Sequence, residues 1–384
     1  MRYKYYISKN IMSIKVIKEN LRKEDKLYEK CKRQNCLVPL YDPQKHYLDL
    51  TNCNYYYALI TLRHYIRKVS DYYFSEKQNA KSVDLFMLSP SVSSPSGPGS
   101  DSKPIPIKFG NLKTYLVDSS QFGFEPLLLN GFEKLYCYLP SMRGEDCDKR
   151  HLNQFYHCEF EMIGTLKMIM PIIEGYVKVL CQIILFMEKM VDKISSDPMA
   201  TKRALKQLAD CKNFPKLTFD KAIEILVTNN KKNLINFTDH GRDISAEGEV
   251  ELMRILKIET PLWVMYYDRD RVPFYQKPHP KSSDKVLNAD LLFPPLANNS
   301  FGGEIVGCGQ RQDKPEEMYE SLKRQKNLSP KPYEWYINLR RQSSYKITSG
   351  FGLGIERFVT WALAHKSIRD ATVYPRLKNI KIYP

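Results

Sequence analysis

Three glycines at every second position, Gly350, Gly352 and Gly354, open the run SGFGLGIERFVTWALAHKSIRDATVYPR from Ser349 to Arg376, and few local patterns restrict a fold as tightly. In a strand, alternate residues share a face, so these three leave one face bare while Leu353 and Ile355 point the other way into a core. A flat ring can lie on the bare face. The following Phe358, Trp361, Ala362 and His365 have helical spacing, and Arg357 at the junction is placed to pair with a phosphate. Alternate glycines also let a helix pack closely on a sheet, so the motif alone leaves both readings open.

The 384 residues suffice for one large domain or two smaller ones, and 43% hydrophobic with 27% charged residues is an ordinary globular balance. A net charge of +16 is compatible with a nucleic-acid surface, but the basic residues are spread out and runs such as Lys231-Lys232 and Arg340-Arg341 are short. Nine cysteines without a secretory signal point to a reduced, cytoplasmic setting. Cys31 and Cys36 are the one close pair of note and lack the partners of a zinc set. The most apolar stretch, Ile163 to Met190, is interrupted by Lys167, Glu174 and Lys178. Its uncharged core is too short to cross a bilayer, so it reads as a long buried helix and no membrane partner is expected.

Periodicity predicts a helix over Ile14 to Lys32 and a strand or two around Leu37 to Leu50, making residues 1–52 a short N-terminal extension to a main domain over 53–384. That domain opens with a helix over Asn54 to Phe74 and a strand over Val83 to Leu88 that stops at Ser89-Pro90. SVSSPSGPGSDSKPIP, from residue 91, is a flexible polar loop spanning roughly 91–108. Strands are predicted at Lys113 to Val117, Leu135 to Leu139, Phe155 to Ile163 and Leu262 to Tyr267, and helices over 164–194, 200–211, 218–228, 246–256 and 315–326. Strands and helices without strict alternation imply an α+β fold, a mixed and mainly antiparallel sheet flanked by helices.

Two further constellations carry chemistry. Arg143 and Glu145 share a face of a strand that enters a charged hairpin, followed by Arg150, His151, Phe155 and Glu159. An arginine there can neutralise phosphate, a carboxylate can accept from an adenine amine and a phenyl ring can stack, although each alone is equally a surface contact. In GGEIVGCGQR, from Gly302 to Arg311, the glycines leave room against a strand. Glu304 suits a divalent metal and Arg311 a carboxylate or amide oxygen; the plainer reading is a bulged strand with an edge salt bridge.

Together these motifs resemble, in order and spacing, the catalytic domain of class II aminoacyl-tRNA synthetases, in the asparaginyl branch. RHLNQF is similar to that branch's RHLxEF, GEIVGCGQR to its GEIIGGSQR, and SGFGLGIER with IRDATVYPR to its closing motif. DISAEGE, from Asp243 to Glu249, is a fainter match, and the strand ending at Pro90 takes the place of the family's dimer-forming motif. The resemblance covers roughly residues 54–380. It implies a class II synthetase fold, a homodimer, and ATP with Mg2+ as cofactors. By the same resemblance Arg143 holds the α-phosphate, Glu145 the adenine amine, and Phe155 stacks under the ring. His151 with Arg150 approaches the γ-phosphate, Arg357 binds it across the ring, and Gly350, Gly352 and Gly354 floor the adenine pocket. Glu304, helped by Asp290, holds magnesium, while Gln121, Gln310 and Arg311 bind the amino acid. The implied chemistry is attack of a substrate carboxylate on the α-phosphate, in which positioning and charge neutralisation do the catalysis.

Departures from the pattern matter. About 50 residues precede the catalytic domain where the family carries an anticodon-reading barrel. Gln154 replaces the glutamate of RHLxEF, Cys308-Gly309 replaces Gly-Ser, Gln312 replaces a glutamate, and PPLANNSFG separates Asp290 from Glu304. Phe124, three residues after Gln121, stands where aspartate-specific relatives have lysine. These differences favour an asparagine synthetase-like ligase that activates aspartate, asparagine or a related amino acid and passes it to ammonia or another amine. The alternative is an asparaginyl-tRNA synthetase acting on tRNA without anticodon reading.

Overall fold

The computed structural model describes residues 13–30, 38–39, 41–93, 102–325 and 328–383. Its centre is an eight-stranded sheet whose order is Lys81–Ser82, Lys134–Met142, Gln154–Ile163, Thr348–Gly354, Gly303–Gln310, Asn288–Phe293, Leu262–Met265 and Lys216–Thr218. The five inner pairings are antiparallel and the two outermost parallel, so the α+β architecture expected from the motif order is present.

The main core lies on one side of this sheet, and two smaller clusters cover the ends of the other side, Leu135 and Cys137 with Phe124 and Leu128, and Leu262, Val264 and Leu292 with Phe219 and Leu252. Tyr136, Cys158, Phe160, Phe351, Leu353, Leu291 and Val306 face helices Asn54–Asp71 and Leu166–Leu185 in a single apolar cluster. Helix Ile14–Lys30 adds Ile17, Leu21 and Tyr28 to the same cluster, so the N-terminal segment packs on the main core. Between those two smaller clusters, the central strands of the opposite face carry the polar side chains.

Several elements differ from expectation. Among the described residues of 37–50 there is no strand; the chain forms helix His46–Asn52, with His46 buried and bonded through Nε2 to Val373 O at 2.6 Å. The strand expected over Val83 to Leu88 is replaced by two short ones, Lys81–Ser82 just before it and Leu88–Ser89 at its end. Part of the expected loop is ordered by pairing, since Pro106–Phe109 forms a hairpin with Leu112–Leu116; residues 94–101, like Cys31 and Cys36, lie outside the described residues. The helix expected over 164–194 is two, Leu166–Leu185 and Glu188–Ile194. The first is long and apolar enough to cross a membrane, contrary to the sequence-based expectation, but 56% of its apolar window is buried within the core.

Helix Ile355–Ala362 ends earlier than its spacing implies. Ala364 adopts a left-handed φ of 53°, and His365 N donates to Thr360 O at 2.9 Å, a Schellman-type stop that turns His365 inward. There Tyr55 donates to Asp370 O at 2.6 Å, so its oxygen accepts from His365 Nε2 at 2.9 Å, and Ser196 meets Nδ1 at 2.8 Å. Burial lowers the imidazole pKa to about 4. A depressed histidine supplies stability above its unfolded pKa that is lost as pH falls from about 6.5 towards 4, roughly 3 kcal/mol in all. Asp370, raised to about 6 by burial, has the opposite sign. Urea melts at pH 7 and pH 4.5 should therefore show a smaller acid loss in His365→Gln than in the unsubstituted protein; equal losses would remove His365 from this role.

Candidate active site

Strand register builds the site rung by rung. Gly350 pairs with Glu161 on one side and Gly309 on the other, Gly352 with Glu159 and Gly307, and Gly354 with His157. Phe155, His157, Glu159 and Glu161 alternate with core-facing Tyr156, Cys158, Phe160 and Met162, so four side chains rise beside a glycine floor two strands wide.

What stands on this floor differs at each rung. Over Gly354 lies the Arg357 side chain, 3.6 Å from the position a Cβ would take. Glu356 fixes that junction from behind, bridging Arg63 at 2.7 Å and accepting from Tyr156 N at 2.8 Å. Beside Gly352 are Glu159 and Gln121, at 3.6 and 3.9 Å by the same measure. Glu159 accepts from Ser119 Oγ and from Ser120 N at 2.8 Å, which holds the loop that delivers Gln121. Gly350 faces the buried ion pair of Glu161 and Arg311, with Arg311 Nε and Nη2 on the two carboxylate oxygens at 2.9 and 2.7 Å. Gly350 therefore makes room for that pair at the closed end, and the open part of the floor is Gly352 and Gly354.

Two adjoining cavities follow the floor. The narrower, about 110 Å³, is lined by Arg143, Glu145, Arg150, His151, Phe155, His157, Gly352, Gly354 and Arg357. The wider, about 600 Å³, contains Gln121, Gln276, Asn288, Asp290, Gly307, Arg311 and Gly350. Arg143, Glu145, His151, Glu304 and Arg357 border both, so the cavities form one cleft. Arg143 and Arg357 on this border are where a ligand spanning both ends would carry its negative charge.

Electrostatics sharpen that border. Arg143 sits 5.3 Å above the Phe155 ring, and its buried Nε has no hydrogen-bond partner. Glu304 accepts from Arg357 at 2.9 Å; burial pushes its carboxyl up, but Arg357 and Arg150 outweigh this and hold it below the usual range. His151 links Asp148 at 2.9 Å to Arg357 at 3.4 Å. His157 is held neutral, well below the usual imidazole range, by burial and by Arg143 and Arg357. Glu145 accepts from Lys103 N at 3.2 Å, which ties the segment following residue 101 to the rim of the narrower cavity.

A one-residue register shift between Leu291 and Leu292 brings Asp290 opposite Gly307 despite the intervening PPLANNSFG. Asp290 Oδ1 and Glu304 Oε1 each lie 3.4 Å from where a Gly307 Cβ would stand. Burial, then Glu304 and Glu249, push the Asp290 carboxyl well above the usual range. Paired carboxylate oxygens that repel each other over a bare glycine fit a hard divalent cation such as Mg2+, although no group of three or more His, Cys, Asp or Glu forms a complete metal cage among the described residues.

Not every expected residue joins the site. Gln310 alternates onto the core face, where its Oε1 accepts from Leu166 N at 3.2 Å, and its side chain stands outside the cleft. Arg150 lines the cleft, but its guanidinium bonds Gly302 O, lies over Phe301 and meets Glu249 at 3.5 Å. Conversely, His157, Glu161, Gln276 and Asn288 belong to the site although no motif marks them. The alternation from Phe155 to Glu161 was a sufficient signal for the first two, whereas the others reach the cleft only by folding. The substitutions that favoured amide formation have other occupations. Gln154 sits in a separate groove with Ile60 and Tyr374. Cys308 packs its side chain into the main core, and Gln312 Oε1 accepts from Asp313 N and Lys314 N at the head of helix Pro315–Arg324.

Comparison with known proteins follows the same line. Residues 40–378 match the family model for tRNA synthetases class II (D, K and N). The chain is 34% identical over 280 residues to the asparagine–tRNA ligase of Pyrococcus abyssi and 31% identical over 284 residues to that of Mycoplasma pneumoniae, alignments that cover 72% and 70% of this chain. It spans about 60% of the length of these relatives. The asparaginyl-tRNA synthetase of Pyrococcus horikoshii, solved with asparaginyl-adenylate, superposes with a TM-score of 0.77 at 28% identity, over 89% of this chain and 73% of the other. The Entamoeba histolytica enzyme, at 23% identity and a TM-score of 0.71, shares the fold. These relatives are named as tRNA ligases, so the amide-forming reading preferred from the sequence gives way to its alternative. By family match, relatives and fold together, the chain belongs to the class II aminoacyl-tRNA synthetases, close to the asparaginyl enzymes.

Proposed function

We propose that this chain activates asparagine with ATP and transfers the asparaginyl group to tRNA. The observation that carries the reading is the shared border of the two cavities, where Arg143, His151, Glu304 and Arg357 adjoin both a ring-sized pocket and a polar closed end. In this reading adenine lies between Phe155 and Arg357 over Gly352 and Gly354, with its amine toward Glu145. The asparagine carboxylate attacks the α-phosphorus; a P–O bond forms, the bond to the bridging oxygen breaks, and pyrophosphate leaves. Arg143 neutralises the charge growing on the α-phosphate, and Arg357 holds the departing phosphates. Asp290 and Glu304 would hold Mg2+, which when bound screens the phosphate charge. A terminal tRNA hydroxyl then attacks the acyl carbon and AMP departs.

The test is pyrophosphate exchange into ATP, followed by acceptor analysis. Exchange should depend on asparagine, and added tRNA should become esterified at a rate well above that of any amide formed from aspartate and ammonia. Amide formation without tRNA would overturn the acceptor assignment, and no exchange with any amino acid would overturn adenylation itself.

A further inference from the structure

Gln276 is held at the closed end of the cleft by a backbone bridge to Arg311, with Lys277 N donating to Gln310 O at 2.9 Å and Gln312 N to Tyr275 O at 2.8 Å. The residue is 9% exposed, and its side chain lies directly over Gly309, in the space a Cβ there would need. Gly309 is the register partner of Gly350, so the Gln276 amide neighbours the Glu161–Arg311 pair. Its Oε1 is buried and has no hydrogen-bond partner. A buried amide oxygen left unpaired costs free energy unless a ligand supplies a donor.

The ligand must end here. The carboxylates of Asp290 and Glu304 stand over Gly307, and Gln276 stands over Gly309, one side-chain repeat or roughly 7 Å along the same strand. Hence a small amino acid with its carboxylate at the cation end sets its side-chain terminus against Gln276 and Glu161–Arg311. That terminus meets a neutralised ion pair and a neutral amide, with no uncompensated cation among these groups. An amide terminus can donate to Oε1 and accept from Nε2 in return. A carboxylate can only accept, leaves Oε1 unpaired and adds a buried charge. Sites built to pair a polar group reject analogues that cannot complete the pair, by larger factors than apolar pockets achieve.

We infer that Gln276 is a specificity-determining residue that pairs with the side-chain amide of the amino acid and excludes aspartate. This rests on the adenylation reading above and extends it to a residue of this chain. The experiment is amino-acid-dependent pyrophosphate exchange with asparagine and with aspartate, for the unsubstituted protein, Gln276→Met and Gln276→Glu, with the KM for ATP and the melting temperature measured alongside. Gln276→Met keeps length and shape, so it should melt normally and keep its ATP KM within about twofold. Its asparagine KM should rise at least tenfold, and the asparagine-to-aspartate ratio of kcat/KM should fall at least tenfold; Gln276→Glu, with an added charge, should bind asparagine no better than Gln276→Met. An unchanged ratio in both variants would overturn the inference, as would a rise in ATP KM matching that for asparagine, which marks a merely structural role. Absence of exchange in the unsubstituted protein would instead bring down the adenylation reading, and this inference with it.

Discussion

Arg143→Ala should lower kcat for asparagine-dependent pyrophosphate exchange by about 10² to 10³-fold, the cost of removing one preorganised charged donor from a developing oxyanion. The donor is preorganised because its backbone is tied into the hairpin: Arg143 N donates to Asn153 O at 3.0 Å and Asn153 Nδ2 returns a bond to Arg143 O at 2.7 Å. Its guanidinium forms no ion pair with a carboxylate among the described residues, and its buried Nε awaits an acceptor. The native fold therefore loses little when it is removed, and the melting temperature should stay within a few degrees. Steady-state exchange rates and a thermal melt on the same preparation check both halves. Retention of more than a tenth of the rate would remove Arg143 from the reacting centre.

Arg311→Met should destabilise the fold by roughly 3–5 kcal/mol, because it strands the Glu161 carboxylate without its partner inside the sheet. Both side chains are at most 2% exposed and meet through two hydrogen bonds. Burial already pushes the Glu161 carboxyl up to about 7 against the pull of Arg311, so the stranded group would take up a proton rather than stay charged. Glu161→Leu with Arg311→Met should recover most of the stability, since an apolar pair of similar volume avoids the desolvation cost. It should not recover exchange activity, because the polar closed end is gone. Urea unfolding of the single and double variants measures the coupling directly. A single-variant loss below about 1 kcal/mol would mean that the pair contributes little to the fold.

Much of this was legible in linear order. Alternation fixed the bare face of Gly350, Gly352 and Gly354, and the same rule applied to Phe155, His157, Glu159 and Glu161 would have exposed the polar ladder beside it. Helices Ile14–Lys30, Asn54–Asp71 and Leu166–Leu185 were readable from their apolar faces because an amphipathic face is written within a few turns of one segment, whereas the short helix His46–Asn52 was not. The errors lie where a residue's surroundings come from elsewhere in the chain. Gln310 belongs to a site motif by spacing, yet its register turns it to the core. Cys308 and Gln312 looked like altered pocket residues, yet they pack the core and hold the head of a helix.

Sequence alone determined the inventory: arginines suited to phosphate, carboxylates suited to a cation, glycines that leave space, and a strand-to-helix junction to carry them. These are local properties, set by side-chain chemistry and by periods of 2 and 3.6 residues. Only the tertiary structure decided what fills the space above each glycine. Gly350 receives Glu161 and Arg311, and Gly309 receives Gln276, from strands and loops far away in sequence. Asp290 reaches Glu304 because pairing register, rather than sequence separation, sets which residues face each other across a sheet.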